Sequence, residues 1–246
     1  AGITAVFGIL FFMIESRAAQ GFVDFKLFRN STYTGATIFN FLLNGVAGTL
    51  LVSLQLVQLG GNMTAQQAGG LTLGYAIAII AFIRVGEKLL QRFGARKPMI
   101  WGCLIVGVSI VMLSPANLLL EDYNTLAIIG YTLFGVGLAF YATPSTDAAL
   151  SALPAAQAGS GAGIYKMASS LGAAFGVAIS AAIFTALSAN PESIAWLEGV
   201  ITFAGRQDNL AVREAAIIAL MFNVFMVVVA IMSIMLTVPK FVGKKN

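Results

Sequence analysis

The chain alternates long apolar runs with short polar joints. A helix needs roughly 20 apolar residues to cross about 30 Å of hydrocarbon, and six runs meet that length: 34–59, 69–90, 98–115, 124–144, 163–187 and 214–238. A seventh apolar piece, 1–14, is too short to cross alone. It opens on Ala1 with no basic stretch ahead of it, so it reads as the end of a preceding span and not as a signal peptide. The pattern predicts an all-α membrane protein, with 1–33 the end of a preceding transmembrane span and a cytoplasmic linker, and 34–246 a six-transmembrane-helix bundle. Within the bundle, "LLNGVAGTL" (42–50) is echoed by "TLFGVGLAF" (132–140), a faint three-plus-three repeat of the kind secondary transporters carry.

Composition narrows the chemistry. Charged residues make up 10% of the chain, against about 25% in a soluble domain. There is no His, and the single Cys, Cys103, lies inside an apolar run, which excludes an internal disulfide, a conventional zinc site and a Cys–His nucleophile pair. No Ser–Lys or paired-Asp constellation occurs at mid-depth, so neither enzyme activity nor a cofactor is expected, and nothing points to a nucleic-acid partner.

Charge sets the orientation. Of the 14 Lys and Arg, only Arg206 and Arg213 fall on one side of the predicted membrane; the other twelve fall in joints or the tail on the opposite side. Basic joints stay in the cytoplasm, so "GARKP" (94–98) and the C-terminal tail face inward. The outer joint 188–213 places Ile194, Leu197, Ile201 and Ala204 at helical spacing beside Trp196, as in a short interfacial helix or a disordered cap.

Two groups of residues are candidates for chemistry. Along the first span, Asn40, Asn44, Gly48, Leu51, Gln55 and Gln58 recur every three or four residues and share a helical face. Such a face is either one wall of a polar pathway or a set of amides gluing helices together. Tyr75, Tyr131, Tyr141 and Asn223 are further pathway candidates, each of which reads alternatively as core or interface filler. At the cytoplasmic ends, Arg84, Glu87, Asp147 and Lys166 bring two charges of each sign to a similar depth. They form either an ion-pair gate that breaks and re-forms between states or a set of solvated charges. Arg84 lies about 22 Å from the outer end of its span, at 1.5 Å per residue, near enough to the inner interface to snorkel. None of the ten acidic residues is at mid-membrane, which leaves this stretch without an obvious proton carrier.

Four ordered blocks carry a resemblance: "VDFKLFRNSTYTGATIFNFLLNGVAGTL" (23–50), "IRVGEKLLQRFG" (83–94), "GYTLFGVGLAFYATPSTD" (130–147) and "AGIYKMASSLGAAFGVAIS" (162–180). Together they resemble the C-terminal half of a major facilitator exporter of the 14-span drug:proton antiporter branch, nearest the Nor-type quinolone and biocide exporters. Arg92, Gly94 and Lys97 resemble a second, degenerate copy of that superfamily's loop motif, with Gln91 in place of its Asp and Ala95 in place of a basic residue. Where some antiporters of the branch carry a Glu, this chain has Lys166. The resemblance implies proton-coupled export of amphipathic drugs from a bacterial plasma membrane by alternating access, with a cytoplasmic C-terminus. It also implies an N-terminal bundle as partner, holding the proton-carrying acids, and Asn40, Asn44, Gln55 and the tyrosines along the drug pathway. From the residues alone, a non-transporting membrane scaffold or receptor subunit remains the alternative.

Overall fold

The computed structural model describes residues 25–205, 207 and 209–240, together with Val6 and Met13. Six long helices fill that range: α1 (Ser31–Gly60), α2 (Ala65–Phe93), α3 (Arg96–Leu113), α4 (Leu120–Leu150), α5 (Ala155–Ala189) and α6 (Leu210–Thr237), each long and apolar enough to cross a membrane. Apart from Val6 and Met13, the predicted span end in 1–14 lies outside the described residues.

Local chemistry sets the helix ends. Asn30 caps α1 by accepting from the Tyr33 amide at 3.0 Å. Thr64 and Gln67 form a reciprocal capping box that starts α2 at Ala65. Residues 65–68, which lie before the predicted run 69–90, are therefore helical. Gly94, at φ 71°, stops α2 in the left-handed region that only glycine enters freely. Asp122 and Glu121 occupy the first turn of α4, where the helix dipole favours anions. Four helices, α1, α2, α4 and α5, overrun their predicted apolar limits at both ends. α4 continues past Pro144 to Leu150, and at 31 residues spans about 46 Å, well beyond the hydrocarbon.

Helix neighbours reveal the internal repeat. α1 packs on α5 and α6, α4 packs on α2 and α3, α3 meets α6, and α1 meets α4. Exchanging α1 with α4, α2 with α5 and α3 with α6 leaves this set unchanged, as a three-plus-three repeat requires. The α1–α5 crossing is a parallel, residue-for-residue close approach permitted by small residues: Gly172 faces the Phe41 backbone, Gly176 faces Gly45, and Ser180 faces Gly48. Its counterpart, α4 on α2, sets Gly135 against Tyr75 and Gly86 against Ala139. Such contacts let backbones approach closely where lipid supplies no hydrophobic drive between helices. α2 and α5 are the least buried spans, and α1 and α4 carry the core around Tyr33, Phe39, Leu43, Tyr131 and Phe134.

The outer joint between α5 and α6 departs from both sequence readings. Instead of one helix over 194–204, two 3-10 turns, Pro191–Ser193 and Ala195–Gly199, bury Ile194 and Leu197 while Trp196 stays exposed. Beyond them, Ala204 N–H donates to the Asn117 carbonyl at 2.8 Å, so the chain docks onto the α3–α4 joint.

Candidate functional site

α1 is not a regular helix where the polar face was read. It breaks at Val46–Ala47 into tight turns, with Ala47 N–H on the Asn44 carbonyl and Thr49 N–H on the Val46 carbonyl, and it ends in a π-helical stretch, Leu56–Gly60. Irregularities of this kind inside long helices mark hinges and functional positions. The break rotates the outer part of α1, so Gly48 turns inward to α5 while Asn44, Leu51 and Gln55 stay half-buried.

The amides divide by role. Asn40 Nδ2 donates to the Tyr165 carbonyl of α5 at 2.9 Å, and Asn44 Nδ2 donates to Asn40 Oδ1 at 2.8 Å and to its carbonyl at 2.7 Å. Asn40, 5% exposed, thus ties two helices and holds Asn44 in place. Gln58 bonds back to the Leu54 carbonyl of its own helix. Gln55 keeps a buried Oε1 without a hydrogen-bond partner.

Of the tyrosines, Tyr75 is half-buried with its ring 5.9 Å from that of Phe134. Tyr141 is buried edge-on to Phe39 at 5.3 Å, and Tyr131 is buried with its hydroxyl donating to Ser53 Oγ at 2.8 Å, which in turn donates to the Thr49 carbonyl. Asn223 is fully buried, its Nδ2 on Ser180 Oγ at 3.0 Å and on the Ala219 carbonyl. Asn44, Gln55 and Tyr75 are thus half-buried, whereas Asn40, Tyr131, Tyr141 and Asn223 are buried and fix helices to one another. Tyr131→Phe should lower stability by about 1 kcal/mol, the net worth of one buried hydrogen bond. Thermal unfolding of the purified protein checks this.

The four charges read from the sequence as a gate are all exposed, and among the described residues no ion pair joins them. At 1.5 Å per residue, Arg84 lies about 14 Å before the end of α2 and Lys166 about 12 Å into the regular part of α5, on the two least buried spans. Asp147 sits near the end of α4. Beside it is a buried contact the sequence did not single out: Ser145 Oγ and Tyr165 Oη lie 2.5 Å apart, linking α4 to α5 at the residue whose carbonyl holds Asn40. The degenerate loop motif has a defined job next to these charges. Arg96 donates to the Val238 and Met235 carbonyls at 3.0 and 2.8 Å, capping the carboxyl end of α6, while Arg92 and Lys97 lie over the Phe93 ring.

Sequence reasoning also missed the outer end of α6. Arg213 and Glu214, placed at a span boundary, are 5% and 1% exposed. Arg213 Nε donates to the Ala116 carbonyl at 2.5 Å, and its Nη2 donates to those of Leu118 and Ala204 at 3.1 and 2.9 Å. Its guanidinium also lies 5.2 Å from the Phe203 ring centroid. One side chain thereby fastens the α3–α4 and α5–α6 joints to α6. An arginine at a helix start is the only signal the sequence offers, and it does not reveal burial. Among the described residues, no group of three or more His, Cys, Asp or Glu is placed to hold a metal ion.

Comparison with known proteins bears on this architecture. The Major Facilitator Superfamily signature matches residues 31–222. The quinolone resistance protein NorB of Staphylococcus aureus strain MRSA252 is 45% identical over 233 residues, covering 94% of this chain and 46% of that protein. NorB of strain bovine RF122 / ET3-1 is 46% identical over the same length. The chain spans about half the length of the curated relatives it matches.

Proposed function

Because this chain belongs to the major facilitator superfamily, we propose that it is the C-terminal six-helix bundle of a proton-coupled multidrug exporter, moving amphipathic drugs out of a bacterial cell by alternating access. The observation that carries this reading is the inverted three-plus-three bundle whose symmetry-related helices, α2 and α5, are its least covered spans. In that architecture a second bundle faces such helices, and transport is the rocking of one bundle against the other around a midplane site. The half-length match to NorB fits an N-terminal bundle supplying that face. The resemblance places the proton-carrying acids in that bundle too, in keeping with a stretch whose own acids lie at helix ends or in joints.

Within this bundle, Asn44, Gln55 and Tyr75 are the residues proposed to meet the drug, because they combine polarity with partial exposure. Asn40, Tyr131, Tyr141 and Asn223 hold the wall in shape behind them. Arg84, Glu87, Asp147 and Lys166 form the cytoplasmic gate, open in the conformation described and closing through ion pairs in the alternate state, with the C-terminus in the cytoplasm. The test is a panel of drug susceptibilities in cells expressing the full-length protein. Asn44→Leu and Gln55→Leu should change resistance to some drugs and not others by about fivefold, the value of a lost hydrogen bond of roughly 1 kcal/mol. Asp147→Asn should weaken resistance to every exported drug alike, with unchanged protein in the membrane. Unaltered profiles in all three variants would remove these residues from pathway and gate.

A further inference from the structure

The outer ends of α1, α4 and α6 enclose a cavity of about 210 Å³ that none of the pathway or gate residues lines. Its walls are apolar: Leu56 and Val57 of α1, Leu119 and Leu120 at the start of α4, and Tyr123. Two polar residues complete it, Arg213 and Asn209. Leu119 and Leu120, 51% and 40% exposed, form its rim, so the cavity opens outward.

The walls of the chamber are tied to one another by hydrogen bonds. Arg213 holds the Ala116, Leu118 and Ala204 carbonyls, the Asn209 amide nitrogen donates to the Gly60 carbonyl, and the Tyr123 hydroxyl donates to the Leu113 carbonyl at 2.9 Å. Three separate joints are thereby fixed around the space, and a preformed pocket spares a ligand the cost of ordering it. One atom of the wall lacks its hydrogen bond: Asn209 Oδ1 is buried and accepts from nothing in the protein. A buried acceptor without a donor is costly, and a ligand with one donor would satisfy it.

We infer that this outer cavity is a binding site for a small neutral aromatic molecule carrying one hydrogen-bond donor, separate from the drug pathway. Size, sign and polarity each contribute. An apolar cavity of about 150 Å³ is enough to hold benzene, so 210 Å³ admits one ring and a polar substituent. The guanidinium of Arg213 disfavours a cation. A carboxylate would set its oxygens against Asn209 Oδ1 and the carbonyls that already occupy Arg213. A phenol presents a ring to the leucine and valine walls and its O–H to Asn209 Oδ1.

Phenol is the probe, neutral well below its pKa of about 10, and binding is measured on the purified full-length protein by calorimetric titration, independently of export. Phenol should bind saturably, and phenyltrimethylammonium, of similar girth but cationic, should not. Leu120→Trp, which fills the mouth from a half-exposed rim, should weaken phenol binding at least tenfold. Asn209→Leu should weaken it about fivefold, as loss of one hydrogen bond requires. If Leu120→Trp fails to fold, Leu119→Trp tests the same rim from a more exposed position. Phenol affinity unchanged in the rim variant, non-saturating uptake, or equal binding of the ammonium probe would overturn the assignment.

Discussion

Gly176→Val lowers the stability of the bundle by about 3 kcal/mol, the upper range for overpacking a close-packed contact. A Cβ at Gly176 falls inside the van der Waals envelope of the Gly45 backbone, and its nearest neighbours are the carbonyl oxygen, carbonyl carbon and Cα of that residue. Backbone cannot rotate away as a side-chain tip can, so α1 must leave α5. The crossing is in register over Gly172, Gly176 and Ser180, which means one enlarged residue separates the whole contact, including the Asn40 bond to Tyr165. Gly163 lies on the same helix with nothing within 4 Å of an added Cβ, so Gly163→Val is the matched control. Thermal unfolding of the two purified variants decides the matter: equal midpoints would mean that the α1–α5 crossing is not packed as described.

Arg213→Met should release the outer loops at a cost of about 3 kcal/mol, within the range for losing hydrogen bonds made by a charged group. The methionine retains bulk yet offers no donor to the Ala116, Leu118 and Ala204 carbonyls, and it loses the contact with Phe203. Arg213→Lys should recover only part of the loss, since a point charge on a flexible stem cannot span three carbonyls as a planar fork does. The measurement is hydrogen exchange at the Ala204 amide, protected by the Asn117 carbonyl at 2.8 Å. Exchange there should accelerate roughly a hundredfold in the methionine variant, while amides at the Ser31 end of α1 keep their rate. Unchanged protection at Ala204 would show that Arg213 is not the strut of the outer face.

The extent to which the fold was legible depends on which physical signal each element carries. Hydrocarbon thickness imposes a length on every span, so six apolar runs translate directly into six helices. The Thr64–Gln67 capping box was also written in the sequence, yet it sits in a polar stretch that hydropathy assigns to a joint. Helix α4 ran past Pro144 because proline removes one bond and does not end a helix whose flanks are packed. The polar face of α1 was drawn with an uninterrupted helical period, and the turn at Val46–Ala47 breaks that period. Asn40 and Asn44 both precede that turn; Asn40 is tied to α5, while Asn44 and, beyond the turn, Gln55 stay half-buried. For Tyr131, Tyr141 and Asn223, polarity within a span does not separate a pathway residue from core or interface filler. Their partners Ser53 and Ser180, and the Phe39 ring that meets Tyr141, come from other helices, which no local pattern reveals. Arg213 shows the same limit from the other side, since its burial depends on the α3–α4 joint, far away in sequence, folding over it together with the joint that precedes it.

The central claim is that this bundle serves a proton-driven drug exporter. Reconstituting the full-length protein into liposomes and following a fluorescent amphipathic drug, with and without an imposed pH gradient, tests it most directly. The account predicts drug movement that starts with the gradient, stops when a protonophore collapses it, and is accompanied by proton movement in the opposite direction. Drug movement at the same rate with the gradient absent, or none in its presence from protein shown to be folded, would contradict it.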